Sequence, residues 1–444
     1  MARCLIIGTS NSIRHAGFRP LLAALRPDIE VSLAGVGGSP SILLPYILDR
    51  APLAGVGHVV IDTLVNDSGH TASGWADPKL CEMALLESIA AIRRVGIPVT
   101  LLLMPQRNVQ DRAQELRTRR LAIAAAQGIG VVDGYLVIEQ LRERFGIQDS
   151  RLFDDVAHAS WPVNLIVARR LAAAIGPLAP AAADAFALPY RVRTPEAEGA
   201  QVIERSTSLA SCRYVVLREG TTAKITLDSP GDLLGISLNT ARASGFLRIE
   251  AEGGVLVKDL RTETDGPGPG ARKMVHMIAA TMTTLRGRSF TLSMHATPPE
   301  GAVERTKLAR EQEEGARGEA EIEALIFRDS AAPAWTPPEL PIAAPAGPAL
   351  GPEEEAIGMA AMFSFATVQL SPAAHFFRTR IASEPPIWER KPPQIARLLV
   401  ELGEQLGDAG AARRLRRIAA QRFPKHPGFR GAGAAPHQAP GEPD

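Results

Sequence analysis

Five short apolar runs separated by helix-like stretches fill the first 178 residues, and they constrain the fold more than any other feature of this chain. The runs lie at 3–8, 30–34, 58–62, 98–104 and 129–133 and are rich in β-branched residues or leucine. Helical patterns fall between them near 13–25, 40–48, 78–95 and 111–127, and a last one near 162–175 closes the unit. Strands that alternate with helices run parallel, because each crossover returns the chain to the same edge of the sheet. The expected fold is α/β, a three-layer αβα sandwich with a five-stranded parallel sheet. Ligands of such sheets bind outside the carboxyl ends of the strands, where the strand order reverses.

The first strand ends on Gly8, and Thr9, Ser10, Asn11 and Ser12 follow at once. A serine there sits on a tight turn with a rigid strand behind it, which suits a nucleophile. Serine is also a favoured turn and helix N-cap residue, so Ser10 and Ser12 taken alone admit that plainer role.

Three later stretches add to the first. Gly35-Val36-Gly37-Gly38-Ser39 follows the second strand and Leu64-Val65-Asn66-Asp67 the third. Asp155-Val156-Ala157-His158 precedes the last helix. The strand-end rule brings all four to one crevice. Together they hold a complete set for acyl transfer. Ser10 attacks a carbonyl carbon, His158 takes its proton, and Asp155 bonds the other ring nitrogen and fixes the tautomer. Backbone N–H groups of Ser10 and Gly38 and the side-chain amide of Asn66 supply an oxyanion hole. Gly38 lacks a Cβ, so its backbone can approach substrate closely. Asn66-Asp67 and Gly37-Gly38 also fit plain turns, and Asp154 is an alternative orienting acid. His15 and His70 read as ordinary surface residues.

The order Ser10, Gly38, Asn66, His158, with Asp155 three residues before the histidine, resembles the SGNH (GDSL-type) hydrolase superfamily. The resemblance covers 1–178 and implies a flavodoxin-like catalytic domain with a Ser10–His158–Asp155 triad and a Ser10/Gly38/Asn66 oxyanion hole. It implies a serine esterase or acyl hydrolase acting on a small-molecule or glycan ester, such as an O-acetyl group on a carbohydrate. An O-acyltransferase with the same triad and a non-catalytic binding protein on the same fold are the rival readings. Two positions depart from the family pattern. Thr9 stands where an acid is usual, and Leu64 where a glycine is usual. All the proposed groups lie within 1–178, so that part is expected to keep activity alone.

Residues 176–189 read as an Ala/Pro linker, and 190–330 as a β-sandwich domain of short strands divided by turn signals such as Asp228-Ser229-Pro230-Gly231. A Pro/Ala-rich linker follows at 331–352, then a helical region at 353–428 and a disordered tail at 429–444. Within the helical region, 395–406 and 409–422 loosely resemble one tetratricopeptide unit and offer a surface for a protein partner. Net charge is only +1, which gives no electrostatic case for nucleic acid. Cys4, Cys81 and Cys212 are scattered without metal-ligand spacing, so no metal or cofactor is expected. No signal sequence or membrane-length apolar run appears, so the expected location is the cytoplasm, without membrane contact.

Overall fold

The computed structural model describes residues 2–51, 53–107, 111–178, 188–207, 210–261, 274–306, 317–340 and 347–363, with a few helical positions between 400 and 420. Its first sheet contains β1 (Arg3–Gly8), β2 (Glu30–Gly35), β3 (Val56–Asp62), β4 (Val99–Leu103) and β5 (Gly130–Asp133). All are parallel, in the order β2-β1-β3-β4-β5. Side chains alternate between faces along each strand. Leu5 and Ile7 therefore join one apolar core, while Cys4 and Ile6 join the other.

Nine helices surround this sheet among the described residues: α1 (Ser10–Ile13), α2 (Phe18–Leu25), α3 (Leu43–Arg50), α4 (Leu64–Ala72), α5 (Pro78–Arg94), α6 (Asp111–Gln127), α7 (Gly134–Phe145), α8 (Asp149–Leu152) and α9 (Trp161–Ile175). The α3, α5 and α6 helices cover one face, and α2, α7 and α9 the other. Sequence periodicity missed α4 and α7. The α7 helix starts on the residue after β5, so no linker separates them. Asp133 ends the strand and also caps the helix, accepting from Tyr135 N at 3.0 Å and Leu136 N at 3.3 Å. The helix expected from 13 instead begins at Ser10 and is broken at 14–17.

The second unit is the expected β domain. It comprises β6 (Tyr190–Arg193), β7 (Val202–Ser206), β8 (Ser211–Arg218), β9 (Thr222–Ser244), β10 (Phe246–Ala251), β11 (Gly254–Asp259), β12 (His276–His295), β13 (Val303–Arg305) and β14 (Glu319–Asp329). Their hydrogen bonds form one nine-stranded sheet: eight strands follow in the order β13-β11-β10-β12-β9-β14-β8-β7, and β6 pairs with β14 off that path. The sequence around Asp228–Gly231, expected as a turn between two strands, lies inside the single strand β9. The register against β12 shifts there, so Pro230 and Gly231 mark a bulge, as such residues do within strands. Phe290 of β12 and Phe327 of β14 meet across β9 with ring centroids 4.7 Å apart and planes tilted by 46°.

The two units share a core. Ile42, Leu43 and Tyr46 of the first pack with Leu234, Ile278, Ala324 and Ile326 of the second. Gly235 permits this approach, since a Cβ there would lie 3.0 Å from Ile42 Cγ2. Three described residues of the Pro/Ala-rich stretch lie against the first unit: Trp335 and Leu340 pack on its core, and Gln140 donates to Pro348 O at 3.0 Å. A helix α10 (Pro352–Phe363) follows, fastened by the Arg170–Glu354 ion pair at 2.9 Å. The tetratricopeptide-like pair and the tail at 429–444 fall almost entirely outside the described residues. No helix among the described residues is long and apolar enough to cross a membrane.

Candidate active site

Strand β1 ends on Gly8, and Ser10 opens helix α1 at the carboxyl edge of the sheet. There β1 lies between β2 and β3, the point at which the strand order reverses. The Ser10 hydroxyl lies 2.9 Å from His158 Nε2. His158 Nδ1 in turn lies 2.8 and 2.7 Å from the two Asp155 oxygens. A carboxylate accepts only, so Nδ1 carries the proton and Nε2 presents its lone pair to the Ser10 O–H. Asp155 Oδ1 also accepts from Ala157 N at 2.9 Å and His158 N at 3.0 Å. Burial pushes the Asp155 carboxyl up. The Ala157 N–H together with the His158 ring and N–H outweigh that and hold it below the usual carboxylate range.

The loop bearing Asp155 and His158 is pinned on several sides. Asn11 Nδ2 donates to Ala157 O at 3.1 Å, tying the loop to the helix that carries Ser10. Arg107 N donates to Val156 O at 2.9 Å. Asp154 pairs with Arg14 at 3.0 Å, and the same guanidinium lies 4.0 Å from Asp155. The site is shallow, with the Asp155 side chain 50% exposed and His158 20%.

Gly38 and Asn66 approach from the next two strand ends. Asn66 is buried in the first turn of α4, so Asn66-Asp67 is not the plain turn pair that the sequence also allowed. Gly38 takes φ +69°, a left-handed conformation that side-chain-bearing residues rarely adopt. Helix α4 fastens the two stretches together. His70 Nε2 donates to Gly38 O at 2.8 Å. Asp67 accepts from Ser41 N and Ser41 Oγ, both at 2.6 Å, and pairs with Arg120 at 2.7 Å. His70 is thus no surface residue: it is buried with its ring edge against Trp75. His15 is exposed, as expected.

Sequence reasoning passed over Asp62, Asp67 and Arg120. Asp62 had a visible signal, being a charge that ends a largely apolar strand at the ligand edge. Ser12 Oγ donates to it at 2.7 Å. Burial pushes its carboxyl up to about 7, against the opposing effect of the Ser12 hydroxyl and of the Thr9 and Ser12 N–H groups. Thr9, at the position where the related pattern carries an acid, therefore sits beside a carboxyl supplied by the neighbouring strand. Leu64 is buried in the core. Arg120 gave no signal, because it lies in an arginine-rich helix whose other arginines, Arg112, Arg117 and Arg119, are only partly buried.

One metal-like group occurs among the described residues, at the junction of the two units. Ligating atoms of Cys212, His276 and Glu323 lie within 4.8 Å of one another. Their hydrogen-bonding capacity is already taken up. Glu323 accepts from Tyr46 at 2.8 Å and Ser237 at 2.6 Å and pairs with Arg50. His276 Nδ1 meets Tyr214 Oη at 2.7 Å, and its Nε2 meets Ser237 Oγ at 3.1 Å. The Arg50 charge neutralises the carboxylate a cation would need, so this donor set fits a closed network better than a metal centre.

No protein-family model matches the chain, and no curated protein sequence does either. Solved structures similar to it include a two-domain esterase active on acetylated mannans. It is 11% identical, with a TM-score of 0.48 over 74% of this chain and 91% of that one. A G-D-S-L family lipolytic protein from Desulfitobacterium hafniense is 18% identical, with a TM-score of 0.34 over 39% of this chain and 99% of its own. An acetylxylan esterase from Geobacillus stearothermophilus is 19% identical, with a TM-score of 0.34 over 40% and 94%. The first unit is a parallel α/β unit with strand order β2-β1-β3-β4-β5, and Ser10, Gly38, Asn66 and His158 follow one another along the chain in the order that the SGNH (GDSL-type) resemblance implies.

Proposed function

We propose that this protein is a serine esterase in which Ser10, His158 and Asp155 form the catalytic triad. The observation that carries the reading is the unbroken hydrogen-bond chain from the Ser10 hydroxyl through both nitrogens of His158 to Asp155. Ser10 Oγ attacks the ester carbonyl carbon as His158 Nε2 takes its proton. Asp155 stabilises the resulting imidazolium and keeps the ring in register. The carbonyl oxygen gains negative charge, which the N–H groups of Ser10 and Gly38 and the amide of Asn66 receive. The tetrahedral intermediate collapses, the alcohol leaves with the proton from His158, and an acyl-Ser10 remains. Water, deprotonated by His158, then releases the acid and restores the hydroxyl.

The substrate class we assign is an O-acyl ester, acetyl being the smallest case, carried on a carbohydrate. A shallow triad whose Asp155 is half exposed supports this, because a bulky alcohol moiety can reach it without entering a deep pocket. Val156, between Asp155 and His158, is 61% exposed and free to meet such a substrate. The test pairs a fluorophosphonate probe with a panel of p-nitrophenyl esters and acetylated glycans, on wild type and Ser10→Ala. Labelling and turnover by wild type alone support the reading. A folded wild type that neither labels nor hydrolyses any ester overturns it.

A further inference from the structure

The loop that carries Gly38 is held by the second unit as well as the first. Ser39 is fully buried, and its Oγ accepts the N–H of Ile278 in β12 at 2.9 Å. Over 276–280, β12 is paired only with β9 among the described residues, because β10 joins it further on, at 291–295. The Ile278 N–H therefore faces out of the sheet, towards the first unit, and Ser39 satisfies it. The Ser39 hydroxyl points its own proton back at Gly37 O, a long contact of 3.5 Å.

That second contact bears on the oxyanion hole. Gly37 C=O and Gly38 N–H belong to one planar trans peptide, so they point in opposite directions. Holding the carbonyl sets the direction of the N–H. Glycine at both positions leaves this peptide little conformational restraint of its own. His70 holds only the following peptide, through Gly38 O. Of the side chains described here, Ser39 alone grips the peptide that presents the Gly38 N–H, and its position is fixed by a strand of the other unit.

Resting on the esterase reading above, we propose that Ser39 is a positioning residue through which β12 aims the Gly38 N–H at the oxyanion. The β unit then acts on the site at one point, the Ile278 N–H of β12. Its contribution is geometric, and it need not touch substrate.

The test uses the full chain and p-nitrophenyl acetate. Ser39→Ala removes the link, and a misaimed donor is expected to lower kcat about tenfold, part of the 10²–10³ that losing a whole donor costs. KM should stay within about twofold, since the donor acts on the transition state. Glu323→Gln weakens the same interface away from the loop, so it should lower Tm while leaving kcat unchanged. Ser39→Cys keeps the size but accepts poorly and serves if the alanine variant does not fold; its kcat should fall between the two. A wild type without esterase activity overturns the esterase reading and this inference with it. An active wild type whose Ser39→Ala and Ser39→Cys variants stay within about twofold in kcat overturns the inference alone. So does an equal loss of kcat in Glu323→Gln, which would make Ser39 merely part of the interface.

Discussion

Ser12 Oγ donates to Asp62 Oδ2 at 2.7 Å inside the protein, whereas Ser10, two residues earlier, turns its hydroxyl to His158. The two serines of one short helix thus have different partners, one a buried carboxyl and the other the imidazole. A fluorophosphonate adduct, located by peptide mapping, is expected on Ser10. Ser12→Ala should still label, but with stability reduced by roughly 1–3 kcal/mol, because the buried Asp62 loses a donor. An adduct on Ser12 would reverse the assignment.

The same logic separates the two neighbouring acids. Asp155 faces the imidazole and Asp154 faces Arg14. Asp155→Asn should cut kcat on the order of 10²–10³. This is less than the roughly 10⁴ known for the corresponding change in a serine protease, because the carboxylate here is half exposed and water can partly replace it. Asp154→Asn should remain within about threefold of wild type. Steady-state kcat on one activated ester compares them.

Asn66→Ala should lower kcat by about 10²–10³, the usual cost of one oxyanion donor, with little change in Tm. Inhibition by a boronic acid, whose tetrahedral adduct occupies the same hole, should weaken in parallel. Loss of kcat without loss of boronate affinity would place Asn66 outside the hole.

Two buried groups give stability opposite dependences on pH. Burial, opposed weakly by Glu323, pushes His276 down to about 4. The unfolded chain then binds the proton more readily, so this contribution is present above about 6.5 and is lost as pH falls towards 4. Asp62, raised to about 7, binds its proton more tightly when folded. Its contribution is present below the unfolded value near 3.9 and is lost as pH rises through about 7. Asp62→Asn should therefore steepen the loss of Tm on acidification from pH 6.5 to 5, and reduce the loss between pH 5 and 8. Melting curves across this range, wild type against variant, provide the check.

Removal of everything after residue 178 should not leave a working enzyme, contrary to what the placement of the catalytic groups alone implies. Ile42, Leu43 and Tyr46 are buried against the β unit. Exposing side chains of this size costs roughly 1.5–3 kcal/mol each. A domain has only about 5–15 kcal/mol in total. The truncated chain is expected to aggregate or to fold without activity, as judged by size-exclusion chromatography and p-nitrophenyl acetate hydrolysis. Full activity in a monomeric 1–178 fragment would contradict the shared core.

The alternation of apolar runs and helical patterns determined the parallel sheet, because burial on both faces demands continuous apolar strands and parallel pairing demands crossovers. The Ser10, Gly38, Asn66 and His158 stretches were legible for a related reason: each follows a strand end or precedes the last helix, and strand ends converge. The partners of those stretches were decided by the tertiary structure alone. Asp67 and Arg120 lie 53 residues apart, and Ser39 and Ile278 lie 239 apart. Nothing local in either residue reports such a pairing. A buried carboxylate, or a strand N–H facing out of its sheet, acquires its partner only when two surfaces close together. The sequence placed Ser10, Gly38, Asn66 and His158 at one edge of one sheet; packing of the second unit determined how the Gly38 loop is held there.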